Sequence, residues 1–328
     1  MKAIKILTMA AMATAVFASC SNEDGLPQSN YPADNVVRIM TSVDGMNTRA
    51  SYGNSADKLK SFGFCIKNAN SEKYTYDNIK VSQKRYNWLP ATQMLWQNST
   101  TAVDILAYAP YQETTEDANG KVKVFGKTDY AFSVKEDQSN AEDYSSDLIV
   151  FKQTGFTPVL ELNTSKAVEV AFTHLLSQLN LIIELRDQFN TNNNTVTKGF
   201  VTDVKVNGTI ISSKVDFSAS PISVQVDGTQ TAAITPETTG FTPAENATAH
   251  AVFNYSAIVI PQTVAAGNFS ISFKVNNTEY IWTATDAVTF ESGKKHELHL
   301  LAGKDVVQGG AISAIPWGDE TITEKETD

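Results

Sequence analysis

The chain has 328 residues, 42% of them hydrophobic, which is enough for two domains of ordinary size with packed cores. It carries 26 basic against 36 acidic residues, a formal net charge of −10, which argues against a nucleic-acid partner because such a partner selects a basic face.

The first twenty residues set the destination. Lys2 and Lys5 make a positive start, and Ile6 to Ala18 is apolar or small apart from Thr8 and Thr14. That is a signal peptide in charge and length, too short for a spanning helix of about 20 apolar residues. The run ends in Phe17-Ala18-Ser19-Cys20, which resembles the bacterial lipobox. The resemblance implies removal of residues 1–19, transfer of a diacylglycerol to the Cys20 thiol, and anchoring in the outer membrane through that lipid. Two acyl chains supply the second anchoring signal that a single chain lacks. Ser21-Asn22-Glu23-Asp24 resembles the acidic tag that sends such lipoproteins to the cell surface. With Cys20 lipidated, Cys65 is the only thiol left, so no intramolecular disulfide forms and packing must supply the stability. In "FGFCI", Cys65 reads as a small buried hydrophobe.

Residues 21–35 are polar and read as a tether. From Val36 the pattern is of short β-rich runs broken by turns, beginning with Val36–Val43, Phe62–Ile66, Val103–Tyr108 and Asp147–Phe151. "ISFKV" sets Ile271, Phe273 and Val275 against Ser272 and Lys274, the alternation of a half-buried strand. Asn207-Gly208 stands between two β-branched runs and predicts a tight hairpin, with Asn276-Asn277 a second candidate. No stretch sustains a helical period with caps, and strands recurring about every 8–12 residues point to sandwiches. "VEVAFTHLLSQLNLIIEL" reads as one long paired region, and the polar "LNTSKA" before it places the join between domains near residue 165. The expected division is signal peptide 1–19, tether and first strand 20–49, an N-terminal β-sandwich 50–165 and a C-terminal β-sandwich 166–328.

Catalytic chemistry is not legible. Phosphate-binding, dinucleotide-binding and nucleophile-elbow motifs are absent. His296 and His299 in "HELH" stand three apart, so in a strand they face opposite sides and do not converge on a metal. His174 in "AFTHLL" reads as a satisfied core or rim histidine. The acidic run 135–147 lacks the spacing of a calcium loop and reads as solvated. Trp96 and Tyr108 sit in apolar strands and read as core rather than as a sugar platform with Trp88 and Tyr111. The expectation is a protein that is not an enzyme, with no cofactor and no metal.

One of only four arginines, Arg49, follows the first strand directly in "DGMNTRASYGNS". Its small and polar neighbours suit cleavage of the Arg49–Ala50 bond by a trypsin-like, arginine-specific protease. Several pieces then line up in order: Cys20, "VVRIMTSV" followed by "NTRA", "MLWQNSTTAVDILAYAP", "SSDLIVF", "VEVAFTHLLSQLNLII", "FESGKKHELHL" and "ISAIPWGDE". In this the chain resembles the fimbrillin-like lipoproteins of the Bacteroidetes, subunits of type V pili. The resemblance implies two tandem transthyretin-like β-sandwich domains, an all-β fold, and export as a lipoprotein. It also implies cleavage after Arg49, polymerisation with other pilus subunits by strand exchange, and a host or bacterial surface ligand. The expected donor strand is the C-terminal run containing Ile312, Ile315 and Trp317, with Ile322 further out. Only eleven residues follow Trp317, so this segment looks short beside that of the stalk subunits. The alternative is a surface-anchored glycan-binding lipoprotein that keeps its first strand and uses exposed aromatics.

Overall fold

The computed structural model describes residues 30–43, 58–85, 87–113, 123–190 and 196–317. Among the described residues twenty-two strands form, and the one α-helix is a single turn, α1 (Pro158–Glu161). The first eight strands are β1 (Ile39–Val43), β2 (Ser61–Lys67), β3 (Tyr76–Lys84), β4 (Asn87–Pro90), β5 (Val103–Ala109), β6 (Tyr130–Ser133), β7 (Ile149–Phe156) and β8 (Val168–His174). There follow β9 (Ser177–Leu185), β10 (Val201–Ile210), β11 (Ser212–Asp216), β12 (Ser223–Val226), β13 (Thr231–Ile234), β14 (Glu237–Thr242) and β15 (Ala251–Val259). The last are β16 (Gln262–Val264), β17 (Ser270–Val275), β18 (Thr278–Thr283), β19 (Val288–Phe290), β20 (Lys294–Ala302), β21 (Val307–Gly309) and β22 (Ser313–Pro316). The expected all-β architecture of packed sheets is the one observed.

The first sheet has the order β1-β8-β7-β5-β2-β3-β4. Its two edges meet: Val36 bridges Leu95, the Val37 amide donates to Met94 O at 3.0 Å, and the Trp96 amide donates to Asn35 O at 2.8 Å. The sheet therefore rolls up around a core that includes Ile39, Phe62, Phe64, Ile105, Val170 and Phe172. Alternate residues point the other way, and Cys65, Leu106, Tyr108 and Val150 pack outward. That outer face is covered by the sheet β12-β11-β6, through Tyr108 against Tyr130 (5.5 Å between ring centroids) and Phe217 (5.6 Å). Gly63 is required here, because a Cβ at that position would lie 2.2 Å from the Tyr108 ring.

The second sandwich faces the six-stranded sheet β14-β15-β9-β20-β21, with β22 also on β20, against β13-β10-β17-β18. Leu179, Leu181 and Ile183 of β9, Phe253 of β15 and Leu298 and Leu300 of β20 supply one side of the core, and Val206, Ile271 and Phe273 the other. This core is continuous with the outward cluster of the first sheet. Gln138 sews the two parts together: its amide nitrogen donates to Ile258 O at 3.0 Å, and its oxygen accepts from the Ile258 amide at 2.7 Å.

Two local expectations meet different fates. Asn276 and Asn277 do form the two-residue turn of the β17–β18 hairpin, both at positive φ, with Val275 opposite Thr278. Asn207-Gly208 does not turn. It is a bulge inside β10, where the register against β13 shifts between Val206 and Thr209. Gly208 has φ +92°, and a Cβ there would sit 1.9 Å from Asn268 O. Positive-φ chemistry serves a bulge as well as a turn. The region read as one paired unit also divides: β8 pairs with β1 and β7, whereas β9 pairs with β15 and β20. The chain changes sheet at Leu175-Leu176.

Candidate functional site: the first strand and the C-terminal strand

The first strand is an edge. β1 runs parallel to β8 in the register Ile39↔Val168 to Val43↔Phe172. Val37, Ile39 and Val43 are buried in the first core, while Met40 and Ser42 face out. Asp34 pairs with Arg38 at 2.6 Å on the exposed side, and the Arg38 hydrogen bond holds the Asp34 carboxyl at about 2. The strand thus fills a row of pockets on one face and has β8 as its only ladder partner among the described residues. Arg49 and Ala50 follow it but lie outside the described residues, as do Cys20 and Ile322.

The C-terminal run is docked on its own sheet. β22 lies antiparallel to β20, with Ile315 opposite Lys295 and Ala314 opposite His296. Ser313, Ala314 and Pro316 are exposed, and Ile312 and Ile315 are only half buried. Trp317 is different. It is 4% exposed, its ring lies flat on His174 with 3.9 Å between centroids and 2° between planes, and its amide donates to Gly293 O at 3.2 Å. His174 Nδ1 in turn is hydrogen-bonded to Asp147 Oδ1 at 2.9 Å, with both side chains fully buried.

The loop that carries Gly293 grips the connection between β8 and β9. Ser292 Oγ donates to Leu175 O at 2.6 Å, the Gly293 amide to Leu176 O at 2.9 Å, and Ser177 Oγ to Glu291 O at 2.6 Å. The ring nitrogens His174 Nε2 and Trp317 Nε1 are buried with no hydrogen-bond partner among the described residues. A buried unpaired donor costs about 1–3 kcal/mol. The seat of Trp317 is therefore well packed but not maximally stable. Sequence reading missed this cluster because its members are far apart in the chain and none belongs to a recognisable spacing.

The other candidate residues separate as their positions in strands dictate. His296 points into the core, where its Nε2 accepts from the Glu291 amide at 3.0 Å and burial lowers its pKa. His299 points outward and meets Glu184 at 2.6 Å, a carboxylate that His250 also contacts. The two imidazoles of "HELH" do face opposite sides. Among the described residues no group of three His, Cys, Asp or Glu is arranged to hold a metal ion. In the acidic run, Asp143 pairs with Lys135, Asp137 bonds to Ser139, and Asp147 serves His174. Trp96 is buried and stacks on Phe156, and Tyr108 is buried with its hydroxyl on Asn78 at 2.7 Å, so these aromatics build cores. Cys65 is buried, and burial pushes its thiol pKa up. Among the described residues no helix is long and apolar enough to cross a membrane.

The fold as a whole has counterparts. The model of the fimbrillin-like family matches residues 48–317. The chain belongs to the fimbrillin-like family. It is therefore one of a group of structural fimbrial subunits. No curated protein matches the sequence. Among solved structures, a candidate cell adhesion protein of Bacteroides ovatus superposes with a TM-score of 0.61 at 13% identity, over 88% of this chain and 100% of that one. Another candidate cell adhesion protein, from Bacteroides uniformis, gives 0.56 at 18% identity, over 87% and 99%. A fimbrial protein of Bacteroides vulgatus gives 0.51 at 17% identity, over 85% and 99%. At such identities the likeness is one of fold.

Proposed function

We propose that this fimbrillin-like chain is a structural subunit of a surface pilus, exported as a lipoprotein on Cys20 and polymerised by strand exchange after cleavage at Arg49–Ala50. The single observation that carries the reading is β1. It is an edge strand whose Ile39 and Val43 are buried in the first core, with Val37 buried just before it, and it ends six residues before Arg49. Loss of that strand bares three apolar pockets, each worth about 1.5–3 kcal/mol when filled. It also bares the hydrogen-bonding edge of β8, a template for a new strand. A head-to-tail contact of this kind does not close on itself and so extends into a filament. The partners are other subunits of the pilus, an arginine-specific protease, the outer membrane before processing, and a host or bacterial surface ligand afterwards.

The donor is the C-terminal run. Ile315 of β22 and Trp317 just beyond it are two residues apart, so in an extended donor strand both would face one side, as the β1 pockets require. Pro316 lacks an amide and must sit where no ladder donor is needed. The test is brief trypsin treatment of the chain from residue 21 onward, read by N-terminal sequencing and gel ladders. Cleavage is expected after Arg49, followed by ladders. Arg49→Ala is expected to stay monomeric, and ladders as abundant as the parent's would overturn the reading. Purified protein from cell-surface material should begin at residue 50 rather than at residue 20.

A further inference from the structure

Trp317, the anchor of the C-terminal strand, sits on the strand that β1 supports. β8 has two neighbours in its sheet, but they divide its length. β1 pairs with Val168 to Phe172, while β7 pairs only at Thr173 and His174. Over five of its seven residues, β1 is therefore the only ladder partner of β8 among the described residues. His174 is the last residue of β8, and it lies on the same inward face as Phe172 and Val170. Its ring is the platform on which Trp317 stacks. The loop holding the Trp317 amide is bonded to Leu175, Leu176 and Ser177, the residues directly after β8. At the other end of the contact, β22 is a four-residue edge strand with mostly exposed side chains, so Trp317 is its one buried anchor.

We infer that the two ends of the subunit are coupled: loss of β1 loosens β8, unseats Trp317 from His174, and frees β22. Each docked strand raises the occupancy of the other, and by reciprocity a freed β22 weakens β1. The element with two arrangements is β22, on or off β20, which gives the coupling a physical carrier rather than mere intermediacy. The inference rests on the pilus reading for its purpose, since it makes a subunit surrender its donor strand only once its own acceptor groove is open. An uncleaved subunit would then hold both ends closed and stay monomeric. The coupling itself is a property of the monomer and needs no polymer.

The test is amide hydrogen exchange of the full chain, comparing Ser313–Trp317 with Val168–Phe172 and with the central strand β9. Val43→Asp places a charge in a buried position of β1 opposite Phe172 and loosens its docking. Exchange is expected to rise by about tenfold at both Val168–Phe172 and Ser313–Trp317, within the range of coupling between sites, and to stay unchanged at β9. His174→Ala removes the platform without touching β1 and should raise Ser313–Trp317 exchange by a similar factor. The double variant should show no further rise there. Acceleration at Val168–Phe172 with none at Ser313–Trp317 would overturn the coupling. If Val43→Asp does not fold, Val43→Ala is expected to act in the same direction by a smaller factor, and an unchanged Ser313–Trp317 with β8 loosened again counts against the inference. Should these shifts appear while Arg49→Ala still polymerises, strand exchange gated at Arg49 is wrong and the coupling stands.

Discussion

Ile39→Ala tests the premise that β1 belongs to the first core. Ile39 is 6% exposed on the inward side of an edge strand, beside Val168 and within the cluster of Phe62, Phe64 and Phe172. Truncating a buried isoleucine costs about 2–5 kcal/mol, and the low end applies where neighbours can close in. An edge strand can shift towards the vacancy, so about 2 kcal/mol is expected. Met40, the next residue, is 46% exposed, and Met40→Ala should stay within about 0.5 kcal/mol of the parent. The assay is urea unfolding, with hydrogen exchange on β2 and β5 to assign the first sandwich. With a slope of about 1–3 kcal/mol per molar urea, the Ile39→Ala midpoint should fall by roughly 1 M and the Met40→Ala midpoint should barely move. Equal effects, or a loss below about 0.5 kcal/mol for Ile39→Ala, would mean that β1 fills no pocket. Its removal would then leave no groove for another subunit, and the argument from burial to assembly would fail.

Cys20→Ala should abolish labelling by a fatty-acid analogue and leave uncleaved precursor, while normal labelling would sink the lipoprotein reading. His296 should also impose a pH dependence on stability. Burial holds its folded pKa below the unfolded value of about 6.5, so the unfolded chain binds more protons in that window. Stability from this group is complete above about pH 6.5 and falls as the pH drops towards the folded pKa. His296→Gln should flatten the slope of unfolding free energy against pH below about 6.5, and an unchanged slope would show that other groups carry it.

Much of the fold was legible because a half-buried strand writes its pleat into the chain. Ile271, Phe273 and Val275 alternate with Ser272 and Lys274, and that alternation is the burial pattern of β17. The runs around Phe62–Ile66, Val103–Tyr108 and Ala251–Ile260 are strands of another kind: both faces are covered over much of their length, so they read as short continuous apolar runs. β3, "YDNIKVSQK", escaped because most of its side chains are only half buried, so polar residues stand on both faces. β14 escaped likewise: "ETTGFT" holds one large apolar residue, Phe241. For the candidate site, the first strand and the C-terminal run were visible as segments, but neither the seat of Trp317 nor the parallel pairing of β1 with β8 was.

The chain alone records which residues can turn inward, where it can bend, and that an apolar run near its start ends in a cysteine. Tertiary structure decided who pairs with whom. Alternation specifies a face but not a neighbour, so nothing local in "VEVAFTHLLSQLNLIIEL" says that β8 stays in the first sheet while β9 joins β20, more than a hundred residues away. Asn207-Gly208 and Asn276-Asn277 both permit positive φ, and only the strands around them decide that one pair is a bulge and the other a turn. His174, Asp147 and Trp317 meet because the first sheet, the connection after β8 and the C-terminal edge strand converge at one place. Such a meeting is set by the packing of whole sheets, whose contacts join residues too distant in the chain for any local pattern to record.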